Sequence, residues 1–401
     1  VAQEQRRGAV IRLLHTSDSH FDQSKRFSDV IAMHEKIVAL ARAREVNLVL
    51  HGGDFFERRS TAAERAALAD WLQAITEVAP LYGVKGNHDQ AGDLEIFNRL
   101  RTRHPLRIEE RATLPGAAPI WNLAGGDRVG LLGLAWVNKA HLVAGLPATS
   151  DITETQRLTI EAMRQLLTCL RAEASRIRSE GATPLFVSHA MIGGSIASSG
   201  QPLIGQTAEV SPADIADIGA AYAALGHIHL HQSWLGGRVA YSGNSTRHDH
   251  GEVQDPKGVR IVEIHNGQIV SSEFVELPAR RIVHIEAGRR DGVLVVDDTY
   301  VEPGDLVRLR YHVPAEELHT VDEDQIRSAL LARGAHEVKL EAIVEQSARV
   351  RSELIVEAKD SFQKIEAWLA AKEIEIDDAA RERIRVKLAA IEAEQTREVA
   401  A

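Results

Sequence analysis

An α/β domain, followed by a small α+β domain and a set of C-terminal helices, is the architecture this sequence predicts, and three observations carry it. Over residues 1–278, short β-branched apolar runs end in polar clusters and alternate with segments of helical or loop character. From 279 to 348 the texture becomes alternating strand, capped helix and strand. From 349 to 401 there is neither glycine nor proline, and Ala, Glu, Arg and Lys dominate, which is helix material. The length of 401 residues fits several folding units, since roughly one domain per 150 residues gives about 2.7.

The elements follow in order. Val10-Ile11-Arg12-Leu13-Leu14 runs into His15-Thr16-Ser17-Asp18-Ser19-His20, and Asn47-Leu48-Val49-Leu50 into His51-Gly52-Gly53-Asp54. Between them Val30, Ile31, His34, Ile37, Val38 and Ala41 fall at helical spacing, and Ala62 to Ile75 reads as a second helix, both suited to covering a sheet. Leu81 to Val84 leads to Lys85-Gly86-Asn87-His88-Asp89, Leu185 to Val187 leads to Ser188-His189, and Ala221 to Leu225 leads to Gly226-His227-Ile228-His229. Val259 to Ile264 and Ile269 to Val275 flank His265-Asn266-Gly267 and read as a hairpin, because Asn-Gly tolerates the positive φ of a tight turn. Beyond Pro278, Val307, Leu309, Tyr311 and Val313 alternate with polar residues as a half-buried strand. A helix then starts at Asp322 as N-cap and stops at Gly334, and Val338, Leu340 and Ile343 form another strand. In the last segment Phe362, Ile365, Trp368 and Leu369 make an apolar stripe, with a break expected at 374–378.

Composition narrows the function. No run approaches the roughly eighteen apolar residues of a membrane helix, and the residues from Val1 to Arg7 hold no export-type apolar stretch, so a cytoplasmic protein without a membrane partner is expected. Cys169 is the single cysteine, which excludes an intrachain disulfide and a Cys-only zinc site, and it is expected as a plain thiol. With 18 histidines against that one cysteine, metal chemistry must rest on nitrogen and oxygen ligands. The net charge of −10 argues against non-specific coating of nucleic acid but leaves local patches open. No Gly-x-x-x-x-Gly-Lys-[Ser/Thr] occurs, so the chain is not itself a P-loop ATPase.

In open α/β sheets ligands collect at the carboxyl ends of strands, and those ends carry the Asp, Asn and His clusters here. Asp18, His20, Asp54, Asn87, His189, His227 and His229 are enough for two divalent metal ions if one carboxylate bridges. Such a mixed set suits Mn2+, Fe2+, Mg2+ or Zn2+ with open positions better than a closed structural zinc. Asp18 and His20, and likewise His227 and His229, are two apart and would share one face of an extended segment. Gly53, Gly86 and Gly226, each just before a candidate ligand, are expected where the backbone turns tightly against the metals.

Asp-x-His, Gly-Asp, Gly-Asn-His-Asp, a lone His after a strand and Gly-His-x-His, in that order over residues 18–229, resemble the calcineurin-like metallophosphoesterases. Within that superfamily the chain is similar to the SbcD-type DNA repair exonucleases, through the early His15–His20 run, Gly53-Asp54-Phe55-Phe56 followed by Arg58 and Ser60, Tyr241-Ser242-Gly243-Asn244, and the domain order. The resemblance implies a β-sandwich flanked by helices, a small capping domain over 279–348, and C-terminal helices that bind an SbcC-type coiled-coil ATPase. It also implies homodimerisation. Residue by residue, it implies Asp18, His20 and His229 on one metal, Asn87, His189 and His227 on the other, Asp54 bridging, and His88 as the non-ligand histidine of catalysis. Two adjacent cations, manganese first among the alternatives, would activate water and neutralise phosphoryl charge.

The chain departs from that pattern at two places. Glu57 stands where many such nucleases have His or Asp; it would orient His88, or else be a solvated loop acid. Tyr241-Ser242-Gly243-Asn244 lacks the proline usual after the tyrosine. Asp22 and Asp89 read as loop acids beside the site rather than ligands. Lys25, Arg26, Arg58, Arg59, Arg99, Arg101, Arg103 and Arg107 follow the catalytic loops and would track a phosphodiester backbone, although a charge run is ordinarily a solvated face. The expected activity is therefore a DNA exonuclease/endonuclease of two-metal type. A phosphoesterase of nucleotides or other small esters, or a metal-stabilised scaffold that recruits an ATPase, are the alternatives.

Overall fold

The computed structural model describes residues 10–137, 152–198, 201, 210–290, 293–345, 360–372 and 374–399. Contacts divide the chain into two compact units. The first holds Val1–His284 with Asp298–Arg308 and Leu330–Val338, and the second Ile285–Asp297, Leu309–Ala329 and Lys339–Ala401.

The first unit is built on strands that are apolar along both faces. β1 (Ile11–Thr16), β2 (Leu48–His51), β3 (Leu81–Val84) and β4 (Leu106–Glu109) run parallel, and β11 (Gly258–His265) and β12 (Gln268–Glu276) extend the sheet antiparallel from β1, giving the order β12-β11-β1-β2-β3-β4. β5 (Ile120–Asn122), β6 (Arg128–Leu134), β7 (Thr183–His189), β8 (Tyr222–Gly226), β9 (Gln232–Trp234) and β10 (Val239–Tyr241) form a second six-stranded sheet in the order β5-β6-β7-β8-β10-β9. Leu13, Leu48, Leu50, Tyr82, Leu131, Leu185, Val187, Ala224 and Val262 interlock between the sheets as one core. Leu14, Val49 and Leu81 point the other way, against α1 (Phe27–Ala43) and α2 (Ala62–Thr76). Leu132, Phe186 and Leu225 pack against α3 (Ile152–Ser179) and α4 (Pro212–Ala216). The result is a helix, sheet, sheet, helix sandwich, and burial on both faces is why its parallel strands read as continuous apolar runs.

Local chemistry sets the element ends. Thr61 and Glu64 form a reciprocal capping box at the start of α2. Asn266 and Gly267 turn the β11–β12 hairpin with φ of 52° and 73°. Cys169 lies exposed on α3.

β13 (Ile282–Arg290), β14 (Val293–Val295), β15 (Leu306–Pro314) and β16 (Glu337–Glu345) form a four-stranded sheet in the order β14-β13-β15-β16. Between its last two strands in sequence lies α5 (Glu323–Arg333), capped by Asp322, whose Oδ1 accepts from the Gln325 amide at 2.9 Å. α6 (Ser361–Ala371) and α7 (Asp378–Val399) follow, with the expected break between them. On α6 Leu369 is buried while Trp368 remains 48% exposed, so the apolar stripe is only partly covered. The expected start of the C-terminal segment at 349 lies outside the described residues.

Candidate metal centre

All the expected ligands emerge from the carboxyl ends of β1, β2, β3, β7 and β8. The loops after β1 and β2 are laced together: the Asp18 amide donates to Gly53 O at 2.9 Å and the His20 amide to Asp54 O at 3.1 Å. Asp18, His20 and Asp54 have φ of 53°, 47° and 54°, and His227 has 109°. The expectation that Asp18 and His20, or His227 and His229, share a face of an extended segment is therefore corrected. Left-handed backbone, not strand alternation, turns these side chains inward. The glycine expectation rests on close approach: a Cβ on Gly86 would lie 2.0 Å from Asp54 Oδ1, and one on Gly226 2.3 Å from Gly52 O.

Two sets of donor atoms result. In the first, ligand atoms of Asp18, His20 and His229 lie within 4.8 Å of one another. In the second, Asn87 Oδ1 is 2.8 Å from His189 Nε2 and 3.0 Å from His227 Nδ1. Asp54 Oδ2 stands between them, 4.0 Å from His20 Nε2 and 3.3 Å from His189 Nε2. Asp18 also accepts from the His227 amide at 3.1 Å, which ties the β1 and β8 loops together.

The hydrogen-bond directions show what these groups want. His189 Nδ1 meets the Gly52 carbonyl at 2.8 Å, so in the neutral ring it carries the proton and Nε2 turns a lone pair toward Asp54 and Asn87. His229 Nδ1 faces Glu252 Oε1 at 3.2 Å, and His20 Nδ1 faces Glu57 Oε2 at 2.8 Å, a close contact rather than a well-aligned hydrogen bond. In the neutral form of both rings the Nε2 lone pairs face each other 3.2 Å apart, a contact that a proton on one nitrogen or a cation between them relieves. Buried lone pairs converge this way where a shared cation binds, so the donor set fits divalent metals.

The titration behaviour agrees in sign. Burial opposes charge on His20, yet the Glu57 carboxylate, with Asp54 and Asp18 behind it, pushes its pKa up to about 9. His189 is raised too, Asp54 outweighing burial. Burial would raise Asp54, but His189 and His20 hold it below the usual carboxylate range. The pocket is thus anionic and draws positive charge. His227, by contrast, is lowered to about 4 by burial and by His189.

His88 stands at the rim, its side chain 34% exposed. Its amide donates to Asp54 Oδ1 at 2.8 Å and its Nδ1 to Glu57 O at 2.8 Å, which leaves Nε2 as the free ring nitrogen. The expectation for Glu57 shifts accordingly: its carboxylate is 3.9 Å from His88 Nδ1 but 2.8 Å from His20 Nδ1, so its backbone carbonyl orients His88 and its side chain serves His20.

The neighbouring acids brace the loops. Asp89 accepts from the Phe56 and Gly86 amides, each at 2.9 Å, while burial and the charge of Asp54 push its pKa to about 6. Asp22 takes a forked pair from Arg58 at 2.7 and 2.8 Å. Lys25 pairs with Glu57, Arg26 with Glu337, Arg103 with Glu77 and Arg107 with Glu109. Much of the expected phosphate-tracking charge therefore faces carboxylates.

Several residues of the site escaped sequence reasoning. Glu252, 1% exposed, accepts from His229 and the His248 amide and contacts buried Lys257 at 3.2 Å. The His248 ring lies 4.8 Å from that of His20, and Trp136 packs 4.9 Å from His227. Tyr241, visible in the sequence as part of its Tyr-Ser-Gly-Asn run but without a role there, donates its hydroxyl to Ala190 O at 2.6 Å and accepts from the Ile192 amide at 2.9 Å, fixing the loop that carries His189. The Asp-Pro-Lys-Gly run around Lys257 carries no motif that would have announced a buried lysine.

Residues 11–230 match the family described as calcineurin-like phosphoesterase. The SbcD component of the nuclease SbcCD from Rhodobacter capsulatus is 30% identical over 280 residues, 64% of this chain and 67% of that protein. The proteins of the same name from Bacillus subtilis (25% over 273 residues, 64% of this chain and 67% of that one) and Staphylococcus epidermidis (24% over 296 residues, 70% and 74%) are also similar. Among the described residues no helix is long and apolar enough to cross a membrane.

Proposed function

Because this chain belongs to the calcineurin-like phosphoesterase family, we propose that it is a two-metal hydrolase of phosphodiesters whose substrate is DNA. The observation that carries the reading is Asp54 Oδ2 placed between two sets of buried donor atoms. Asp18, His20 and His229 would hold one cation, Asn87, His189 and His227 the other, with Asp54 shared. Bound there, the pair would lower the pKa of water and neutralise phosphoryl charge, with Mn2+ the first choice among Mn2+, Mg2+, Fe2+ and Zn2+.

The chain's own groups do the rest. Glu252 and the Gly52 carbonyl hold the protons of His229 and His189 on Nδ1, keeping both Nε2 atoms free. His88, fixed through its amide and Nδ1, offers Nε2 at the rim, where as the imidazolium it would give that nitrogen's proton to the departing oxygen and become the neutral ring. DNA as substrate and an SbcC-like partner are supported by the similar proteins, each of which is named a subunit of the nuclease SbcCD.

A second reading, hydrolysis of small phosphoesters, is favoured by one observation: Lys25, Arg58, Arg103 and Arg107 are already paired with acids. Incubation with Mn2+ and linear DNA, against p-nitrophenyl phosphate and cyclic nucleotides, separates the two. Turnover of the small esters with DNA left intact overturns the nuclease reading. His88→Ala is expected to cut turnover about 10²–10⁴-fold on the active substrate while metal content is kept; unchanged turnover overturns its role.

A further inference from the structure

We propose that a string of buried hydrogen bonds, His51–Ser19–His34, positions the metal loops, with Ser19, His34 and His51 as positioning residues that touch no metal. The inference rests on the two-metal reading and deepens it. Ser19 sits between Asp18 and His20, yet its side chain points away from them: its Oγ lies 2.8 Å from His34 Nε2 and 2.8 Å from His51 Nε2. All three residues are at most 1% exposed.

The two ends of the string fix every proton in it. The Gly53 amide donates to His51 Nδ1 at 3.1 Å, so that nitrogen is the acceptor and Nε2 carries the hydrogen. At the other end His34 Nδ1 lies 2.7 Å from Val30 O inside α1, so Nδ1 carries the hydrogen and Nε2 is the acceptor. One arrangement satisfies both ends: His51 Nε2–H donates to Ser19 Oγ, and the Ser19 hydroxyl donates to His34 Nε2. Both rings must be neutral, and burial keeps them so, holding His34 down at about 4 and His51 well below its ordinary range. A hydroxyl is required in the middle, since it alone accepts from one ring and donates to the other.

Packing locks the rings. His51 stacks on Phe55 with centroids 3.7 Å apart, and His34 meets Trp71 edge-on at 4.7 Å and Phe21 at 4.7 Å. The string thereby joins α1 to both loops that carry Asp18, His20 and Asp54. Those three residues hold left-handed φ angles, which persist where the surroundings over-determine them. Without the string Asp18 and His20 keep their backbone bonds to the β2 loop but lose their anchor to the helix layer.

The test is Mn2+ titration by calorimetry of apo wild type, Ser19→Ala, His34→Phe and the double variant, with apo circular dichroism as the check of fold. Wild type is expected to bind two Mn2+. Each single variant is expected to keep the apo spectrum and bind Mn2+ about 10–100-fold more weakly, the loss typical of removing a group that orients ligands. The double variant should be no weaker than the worse single, because either change breaks the same string. Should Ser19→Ala fail to fold, His34→Phe, which keeps an aromatic ring in the packing while removing the acceptor for Ser19 together with the Nδ1–H bond to Val30 O, decides alone. Two sites in wild type with undiminished affinity in the folded variants overturn this inference and leave the functional reading standing; no Mn2+ binding by wild type overturns both.

Discussion

Lys257→Met should destabilise the first unit by about 3–5 kcal/mol, and Glu252→Gln should restore part of that loss. The lysine is 1% exposed, and its ammonium reaches Asn244 Oδ1 at 2.6 Å, Glu252 Oε2 at 3.2 Å and Asp255 Oδ2 at 3.9 Å. Two charge-assisted hydrogen bonds at about 2 kcal/mol each give about 4 kcal/mol, in line with the cost of stranding one member of a buried pair. The stranded member matters most, because Glu252 would keep its charge beside Asp255 without the ammonium that faces both. Removing both charges lifts that penalty, so the double variant should be at least about 1 kcal/mol more stable than the sum of the single losses implies. Urea unfolding followed by tryptophan fluorescence measures the cycle. Singles that sum to the double within about 0.5 kcal/mol would refute the coupling. The functional arm is separate: Glu252 also fixes His229, so Glu252→Gln should weaken Mn2+ binding about 10-fold or more even where the fold survives.

Two further outcomes are expected. Gly86→Ala should abolish tight metal binding, because its Cβ would lie 2.0 Å from Asp54 Oδ1 and must displace the shared carboxylate; calorimetry with Mn2+ checks this, and full affinity would show that the loop yields. Glu173, 3% exposed, accepts from Arg176 at 2.7 Å and from the Gly116 and Ala118 amides at 2.9 and 3.0 Å, and Arg176 first among these holds its pKa at about 2 against the burial that would raise it. A pKa lowered on folding stabilises above the unfolded value near 4.3, and that stabilisation, at most about 3 kcal/mol, is lost as pH falls toward 2. The melting-temperature gap between wild type and Glu173→Gln should accordingly be widest at pH 6–7 and shrink by more than half by pH 3; a gap independent of pH refutes the assignment.

The sequence discloses what has a local signature. β1, β2, β3, β7 and β8 show as apolar runs ending in polar clusters, because both of their faces are buried. β6 and α3 are not legible in this way. In Arg128–Leu134 the strand is broken up by Gly130 and Gly133, and these glycines are there for packing, since a Cβ on Gly130 would strike Ile177 at 2.3 Å. α3 carries charge on most of its turns, but Met163, Leu167, Leu170, Ala174 and Ile177 recur at helical spacing, so the helix itself is written in the sequence and only the sheet that its narrow stripe covers is not.

The site divides along the same line. Residues that would hold metal recur as short motifs at strand ends, so spacing finds them, whereas those that aim them are scattered and chemically unremarkable in isolation. Glu252 lies 23 positions from His229, and Ser19 reads as filler between two ligands until His34 and His51 are seen on either side of it. His34 and His51 even carry a misleading signal, since histidines near a metal-binding pattern invite assignment as ligands. Their burial among Phe21, Phe55 and Trp71, and their hydrogen bonds running away from Asp54, decide the matter. A histidine placed to hold metal would turn a lone pair toward carboxylates and other ring nitrogens, as the geometry of His189 and His229 allows. One that positions has both nitrogens already satisfied by groups of opposite polarity. That distinction is made by hydrogen-bond direction, which here joins local bonds, His51 to Gly53 and His34 to Val30, to the Ser19 contacts 15 and 32 positions away, and it is the distant contacts that no local window of the chain reveals.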